Sequence, residues 1–380
     1  MKSTETDMNL KKTAIKIARE GIEAVKPQKF IPEKISSNIE SIKIKGNTYK
    51  ARKIVIVGGG KASGCMAKEV ENILGEKIVA GEVNTNYAVN CGIININSAE
   101  HPYPGKDSVA GTKKVLRLKK LDYDLVLALI SGGGSSMIEL PQDISLTELQ
   151  KKVKKLIHSG KTIQEINEIR SKFSKVKQGG LAKHFYPKKV VGVILSDVMD
   201  NDIQAIASGP TFYKNADNFI LADNDTALKA MKNIARDLGF DVNLIDRKLT
   251  GNPMQEAKRI KRIAQKSKKS RRAIIWGGET TPKVKNNGNG GRNQHFAVCF
   301  LKIFKARDYK WCFLSMASDG RDFIENVGGG FVKQTMSKTG IDKALKNYDS
   351  YDFLKKRDGI VSSENTCTNV GDLGVLLIDS

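Results

Sequence analysis

Several short segments carry residues whose types and spacing suit chemistry on anions. Gly58 to Lys61 (GGGK) would offer backbone N–H groups and a helix start to a phosphate or carboxylate, with an ammonium beside them. It is not a P-loop, which would need Gly at Val55 and Ser or Thr at Ala62. Ser63 also stands where a G-x-G-x-x-G fingerprint would end. Ser131 to Ser136 (SGGGSS) is a second turn of this kind, with hydroxyls able to donate to phosphate oxygens, and it lacks the G-x-S-x-G pattern of a nucleophile elbow. Ser196 to Thr211 (SDVMDNDIQAIASGPT) places Asp197, Asp200 and Asp202 in one loop, where carboxylates hold Mg²⁺, act as a general base, or simply cap a helix. Gly277 to Thr281 (GGETT) and Gly288 to Asn293 (GNGGRN) add Glu279 and Arg292, the latter suited to bidentate capture of an anion. The four histidines, His101, His158, His184 and His295, have no metal-ligand partner at helical spacing, which argues against a Ser-His-Asp hydrolase and a histidine zinc site. Anion cradles, two cations and acidic Mg²⁺ candidates together equip a protein for phosphoryl transfer to or from a small acid.

The elements that must position these residues follow from apolar periodicity. Lys53 to Val57 (KIVIV), Leu125 to Ile130 (LVLALI) and Val190 to Leu195 (VVGVIL) are short apolar runs, each closed by glycines, hydroxyls or a carboxylate. The first is followed by helical periodicity from Ala62 to Leu74. Strands apolar on both faces and separated by helices predict an α/β protein with a parallel sheet, and such sheets bind ligands at the carboxyl ends of their strands. Met8 to Val25 spaces Leu10, Ala14, Ile17, Ala18, Ile22 and Val25 as one face of a helix. The segment Asp237 to Arg272 lacks a strong strand, so a boundary is expected near residue 240. Strands are expected again at Ala273 to Trp276, Trp311 to Met316 and Leu373 to Ile378. The expected organisation is an N-terminal α/β domain, 1–240, with helices covering its parallel sheet, and a C-terminal α/β domain, 241–380.

The chain has 380 residues, enough for two cores, and 64 Lys or Arg against 41 Asp or Glu, a net charge of +23. Much of the excess lies in Lys151–Lys189 and in Lys258–Arg272, where nine of fifteen residues are basic and none is acidic. Neither segment interleaves aromatics for base stacking, so both read as solvated faces rather than a nucleic-acid surface. No run approaches the roughly 18 apolar residues of a membrane span, and MKSTETDMNLKK lacks a signal-peptide core, so a cytoplasmic protein is expected. Five scattered cysteines (Cys65, Cys91, Cys299, Cys312, Cys367) predict neither a disulfide framework nor a zinc site, and read as small buried residues.

Taken in order, GGGKAS (58–63), SGGGSS (131–136), HSGKTIQEINEIRSKFSKVKQGGLA (158–182), SDVMDNDIQAIASGPT, GGETT, GGRNQ (290–294) and TNVGDL (368–373) resemble the glycerate 2-kinase family, whose second domain is called MOFRL. Some members were labelled hydroxypyruvate reductase. The resemblance runs from about residue 10 to 378. It implies ATP- and Mg²⁺-dependent phosphorylation of glycerate at its 2-hydroxyl, in a cleft between a Rossmann-like and a MOFRL domain. It places the family's catalytic lysine on Lys61 and its GGRNQ arginine on Arg292, with Asp197 as a third catalytic candidate. Substrate- and nucleotide-binding candidates along these motifs are Gly59, Gly60, Ser131, Gly132, Gly133, Gly134, Ser135, Ser136, Glu279, Asn293, Asp319 and Asn369. Candidate Mg²⁺ ligands are Asp197, Asp200 and Asp202. The chain departs from the family pattern at Asp200 and Asn201, where SDVxGDD is usual, and at His295, where GGRNQ is usually followed by Glu.

Two other functions compete: an NAD(P)-dependent hydroxypyruvate reductase, which would want a clean G-x-G-x-x-G and an acidic residue near Glu76 or Glu82, and an inactive or regulatory binder of small acids or nucleotides.

Overall fold

The computed structural model describes residues 2–157, 163–245, 248–266, 271–284, 288–306 and 309–379. Four residues of the basic run (267–270) and the start of the 158–182 motif lie outside them. Two compact units emerge. One comprises residues 26–223 with 367–369; the other comprises 1–25, 224–366 and 370–380. This partition differs from a single cut at residue 240 because the helix Asn224–Asp237 packs on the N-terminal helix Lys2–Ala24 and on the strand Arg272–Thr280.

The first unit is built on six parallel strands. In spatial order they are Ile94–Ser98, Ile78–Thr85, Ile54–Gly59, Leu125–Ser131, Lys189–Leu195 and Ala216–Ala222. Counted along the chain this is the order 3-2-1-4-5-6 of dinucleotide-binding folds, with the strand order reversing between Ile54–Gly59 and Leu125–Ser131. Ile54–Gly59 and Leu125–Ser131 are buried throughout, as their continuous β-branched and leucine runs require of strands covered on both faces. Val55, Val57, Val126, Ala128, Ile130, Val190 and Ile194 face one core with Phe185 and Leu181, while the alternate positions Ile54, Ile56, Leu127, Leu129 and Val193 are buried on the other side. Gly58 is obligatory: its φ is +150°, and a Cβ there would meet the Leu129 backbone on the next strand.

The second unit carries a mixed sheet ordered Asp241–Leu244, Arg272–Thr280, Asp372–Asp379, Lys310–Ala317, Val327–Lys333 and Ile360–Ser362, with Leu249–Gly251 also paired to Arg272–Thr280. Its core is aromatic: Phe300 stacks on Phe313 at 4.3 Å between ring centroids, and Trp276 lies 4.8 Å from Phe313. The N-terminal helix buries Leu10, Ala14, Ile17, Ala18 and Ile22, the face its spacing predicts, against this unit. Two short strands occupy the region around 240–251 that was expected to hold none of strength. Among the described residues no helix is long and apolar enough to cross a membrane.

Candidate functional site

Where the strand order reverses, two hydrogen bonds stitch the two glycine turns together and a third ties the first turn to the strand Ile78–Thr85. Lys61 N–H donates to the Gly132 carbonyl (2.8 Å), Ala62 N–H to Ser131 Oγ (3.0 Å) and Gly60 N–H to the Asn84 carbonyl (3.0 Å). The amides of the GGGK turn are therefore used within the chain, and what this turn offers an anion is the Lys61 side chain rather than a row of N–H groups. The hydroxyls of the second turn are used internally too. Ser131 Oγ also meets Ser63 Oγ (3.0 Å), Ser135 Oγ meets Ser208 Oγ (2.7 Å), and Ser136 Oγ donates to the Gly133 carbonyl (3.0 Å).

Around the Gly132–Gly133 corner four polar side chains gather. A Cβ on Gly133, whose φ is +81°, would lie 3.2 Å from Lys61 Cγ and 3.0 Å from His101 Cδ2. A Cβ on Gly132 would lie 2.5 Å from Asp197 Cγ and 2.6 Å from Asn369 Nδ2, and Asn369 Nδ2 donates to Asp197 Oδ2 (3.1 Å). Lys61 is half-buried and His101 exposed, so both side chains reach solvent from the edge of the corner. The periodicity of the chain did not single out His101; it lies just after strand Ile94–Ser98, beside Glu100. That carboxylate accepts from the Ser108 amide and hydroxyl (2.8 and 2.6 Å) and from the Asp107 amide (3.1 Å). Burial works to raise its pKa, but these bonds to Ser108 and Asp107 prevail and hold it below the usual carboxylate range.

Beneath the corner is a buried ionic cluster that sequence reading missed. Lys177 Nζ and Arg170 Nη2 both donate to the Ser135 carbonyl (2.5 and 2.9 Å), and Lys177 pairs with buried Glu139 at 3.1 Å. Burial lowers the Lys177 ammonium to about 8, with Glu139 opposing.

Asn369 reaches Asp197 because its short segment is tied into this unit: Cys367 is disulfide-bonded to Cys65 on the helix Ser63–Leu74, their Cα atoms 6.0 Å apart. This corrects the expectation of five unlinked cysteines. The two partners are 302 residues apart, a pairing that local spacing cannot reveal. Cys91, Cys299 and Cys312 take no part in a disulfide.

Asp200 and Asp202 do not join Asp197. Asp202 Oδ1 accepts the Gln204 amide (2.9 Å) and Asp200 Oδ1 the Asp202 amide (3.4 Å), the arrangement of loop and helix-start capping. Among the described residues no group of three or more His, Cys, Asp or Glu side chains is placed to hold a metal.

In the other unit Arg292 opens the helix Arg292–Ile303. Its Nε and Nη2 fork is taken by Asp372 (2.7 and 2.8 Å), and Nη1 lies 2.7 Å from half-exposed Glu279. Burial works to lower its pKa, but Asp372 and then Glu279 prevail and hold it above the ordinary value. Asn293 lies inside the fold, accepting from Ser315 Oγ (2.5 Å) and donating to Asp322. Asp322 also accepts the Gln294 amide (2.9 Å), and burial followed by the Asp372 carboxylate pushes it up to about 6. Asp319 Oδ1 caps the Arg321 amide. His295 is buried on Ser350 Oγ (3.0 Å) and stacked on Tyr348, and burial lowers it to about 4.

Comparison with known proteins gives this geometry its context. Residues 13–236 match a family described as a domain of unknown function (DUF4147), and residues 272–372 match the MOFRL family. A D-glycerate 2-kinase from Thermotoga maritima is 33% identical over 97% of this chain and 99% of its own length. A glycerate 2-kinase from Pyrococcus horikoshii is 28% identical over 98% of each. The crystal structure of a glycerate kinase from Thermotoga maritima superposes with a TM-score of 0.85 at 32% identity, covering 98% of this chain and 100% of that one. Related along essentially its whole length, the chain belongs to the glycerate 2-kinase family and carries that family's MOFRL domain in its C-terminal part.

Proposed function

We propose that this protein is a glycerate kinase that transfers the γ-phosphoryl group of ATP, with Mg²⁺, to the 2-hydroxyl of glycerate. The observation that carries the reading is the convergence of Lys61, His101, Asp197 and Asn369 on the Gly132–Gly133 corner at the reversal of strand order, where a parallel sheet delivers ligands. Phosphoryl transfer is mostly positioning and charge stabilisation, and an ammonium and an imidazole beside one oriented carboxylate supply both. Lys61 neutralises the phosphoryl group, and His101 adds positive charge when protonated or a hydrogen-bond donor when neutral. Asp197, oriented by Asn369, accepts the hydroxyl proton as the new O–P bond forms and ADP departs. Mg²⁺ is commonly held by one or two carboxylates together with substrate phosphates, so the single carboxylate of Asp197 fits it and would hold it here. When bound, the ion would offset charge on the phosphate oxygens. Arg292 is the second unit's catalytic candidate, with Glu279 as the exchangeable partner on its Nη1.

The reductase reading is weakened at both acidic candidates, since neither stands at the end of the second strand: Glu76 lies in the turn Gly75–Lys77 ahead of it. Glu82 lies inside the strand Ile78–Thr85, with its oxygens occupied by Asn95 and Asn97 (2.9 and 2.8 Å). Incubation with ATP, Mg²⁺ and D-glycerate followed by ³¹P NMR tests the proposal, and a 2-phosphoglycerate resonance is expected. Only 3-phosphoglycerate would overturn the 2-position, and no phosphoglycerate would overturn the kinase. Oxidation of NADH or NADPH with hydroxypyruvate would establish the reductase.

A further inference from the structure

The second unit contains a cavity of ≈ 380 Å³ between the helix Pro253–Lys266 and the start of strand Arg272–Thr280. Arg272, Lys261, Lys305, Gln265, Phe304 and Tyr309 are among its lining residues, and among the described residues no acidic one lines it. Arg272 is only 5% exposed. Its Nη1 donates to the Ala264 carbonyl (2.7 Å), while its Nε is buried without a hydrogen-bond partner. Among the described residues no carboxylate pairs with it, and Asp241, its neighbour in the sheet register, is exposed. A buried guanidinium without an anion is costly, and such groups are ordinarily paired. The edge left over, Nε with Nη2, is the one that grips a carboxylate or phosphate through two parallel hydrogen bonds.

We infer that this cavity is a second anion-binding site, which takes a small organic molecule through a phosphate or carboxylate group seated on the Nε–Nη2 edge of Arg272. Lys261 and Lys305 add positive charge, and Phe304 and Tyr309 give the ligand's carbon skeleton an apolar wall. The volume lies within the range of small-molecule sites. It is separate from the Arg292 cluster: Arg272 begins the strand and Glu279 stands seven residues later, roughly 23 Å away along an extended chain.

Calorimetric titration of the full-length protein with inorganic phosphate and with citrate tests the inference. The wild type is expected to bind at least one probe with a Kd below about 10 mM, and Arg272→Met to weaken that binding by at least about tenfold. The Lys261→Glu/Lys305→Glu double variant changes only surface-reaching charges. It should show the same loss while keeping wild-type turnover, which covers the case in which Arg272→Met fails to fold. Lys61→Ala should leave the affinity unchanged. Unaltered affinity in the double variant, loss of binding only in Lys61→Ala, or no binding of either probe at that concentration would each overturn the inference.

Discussion

Substituting Gly132 by alanine tests the site without touching a charged group. Gly132 lies outside the left-handed region, so its backbone accepts a side chain. The new Cβ would stand 2.5 Å from Asp197 Cγ and 2.6 Å from Asn369 Nδ2. Asp197 Oδ2 would be closer still, and ordinary contact begins near 3.4 Å, so the carboxylate must retreat by at least about 1 Å. Both obstructing groups are side-chain ends, so the cost to folding is small: about 1–2 kcal/mol of displacement, partly offset by a less flexible unfolded chain. A misplacement of about 1 Å at a reacting centre costs about 10²-fold in rate. Gly132→Ala is therefore expected to melt within a few degrees of the wild type and to lose about two decades of kcat for ATP-dependent glycerate phosphorylation. A melting temperature close to wild type with kcat within twofold would refute the placement of Asp197 at the reacting hydroxyl.

Other expectations are as direct. Lys61→Ala should fold normally and lose about 10² to 10³ in turnover, equivalent to roughly 3–4 kcal/mol, and an active variant would remove Lys61 from the mechanism. Asp197→Asn should lower kcat and raise the Mg²⁺ concentration for half-maximal activity, because the same carboxylate accepts the proton and would hold the ion; a lowered kcat at unchanged Mg²⁺ requirement would leave it the base alone, and unchanged kinetics would exclude both roles. His295, neutral down to about pH 4 when folded but protonated near 6.5 when unfolded, contributes stability that is present above pH 6.5 and lost as the pH falls toward 4. Urea unfolding should therefore show the wild type losing about 2 kcal/mol more between pH 7 and pH 5 than His295→Phe, and parallel curves would contradict the buried neutral imidazole. Asp322, shifted the other way, is common to both proteins and cancels in that difference. Duplex DNA should bind only weakly and lose that binding steeply with salt, so sub-micromolar affinity at physiological ionic strength would reopen the nucleic-acid reading of the basic segments.

Hydropathy disclosed the strands whose burial is achieved by apolar side chains and concealed those buried by polar pairing. Ile54–Gly59, Leu125–Ser131 and Lys189–Leu195 are continuous apolar runs and stand out. Ile78–Thr85 and Ile94–Ser98 form the same sheet, yet the first contains Glu82 and the second Asn95 and Asn97, which satisfy one another across the two strands. Val327–Lys333 hides for a different reason: three consecutive glycines carry little strand propensity, and pairing along Lys310–Ala317 is what makes the segment extended. At the site, Lys61 and Asp197 were legible because each follows a strand directly. His101 was not assigned to this corner because it follows a strand that Asn95 and Asn97 conceal, and Asn369 because it arrives from a distant segment of chain. The Asp372 fork on Arg292 spans 80 residues, beyond any local pattern.

The three-residue return at 367–369 makes the first unit discontinuous along the chain, and this bears on how it is made. Synthesis runs from the N-terminus, so all six strands of the parallel sheet have been synthesised once residue 222 is complete, while the amide that orients Asp197 arrives 172 residues after it. At typical elongation rates of about 5–20 residues per second, that interval lasts roughly 10–30 s. During it the nascent sheet can form without its full site, and the contact of widest separation at that site closes last. A fragment ending anywhere between 224 and 366 would carry the whole sheet and both glycine turns, yet present Asp197 without the Asn369 amide.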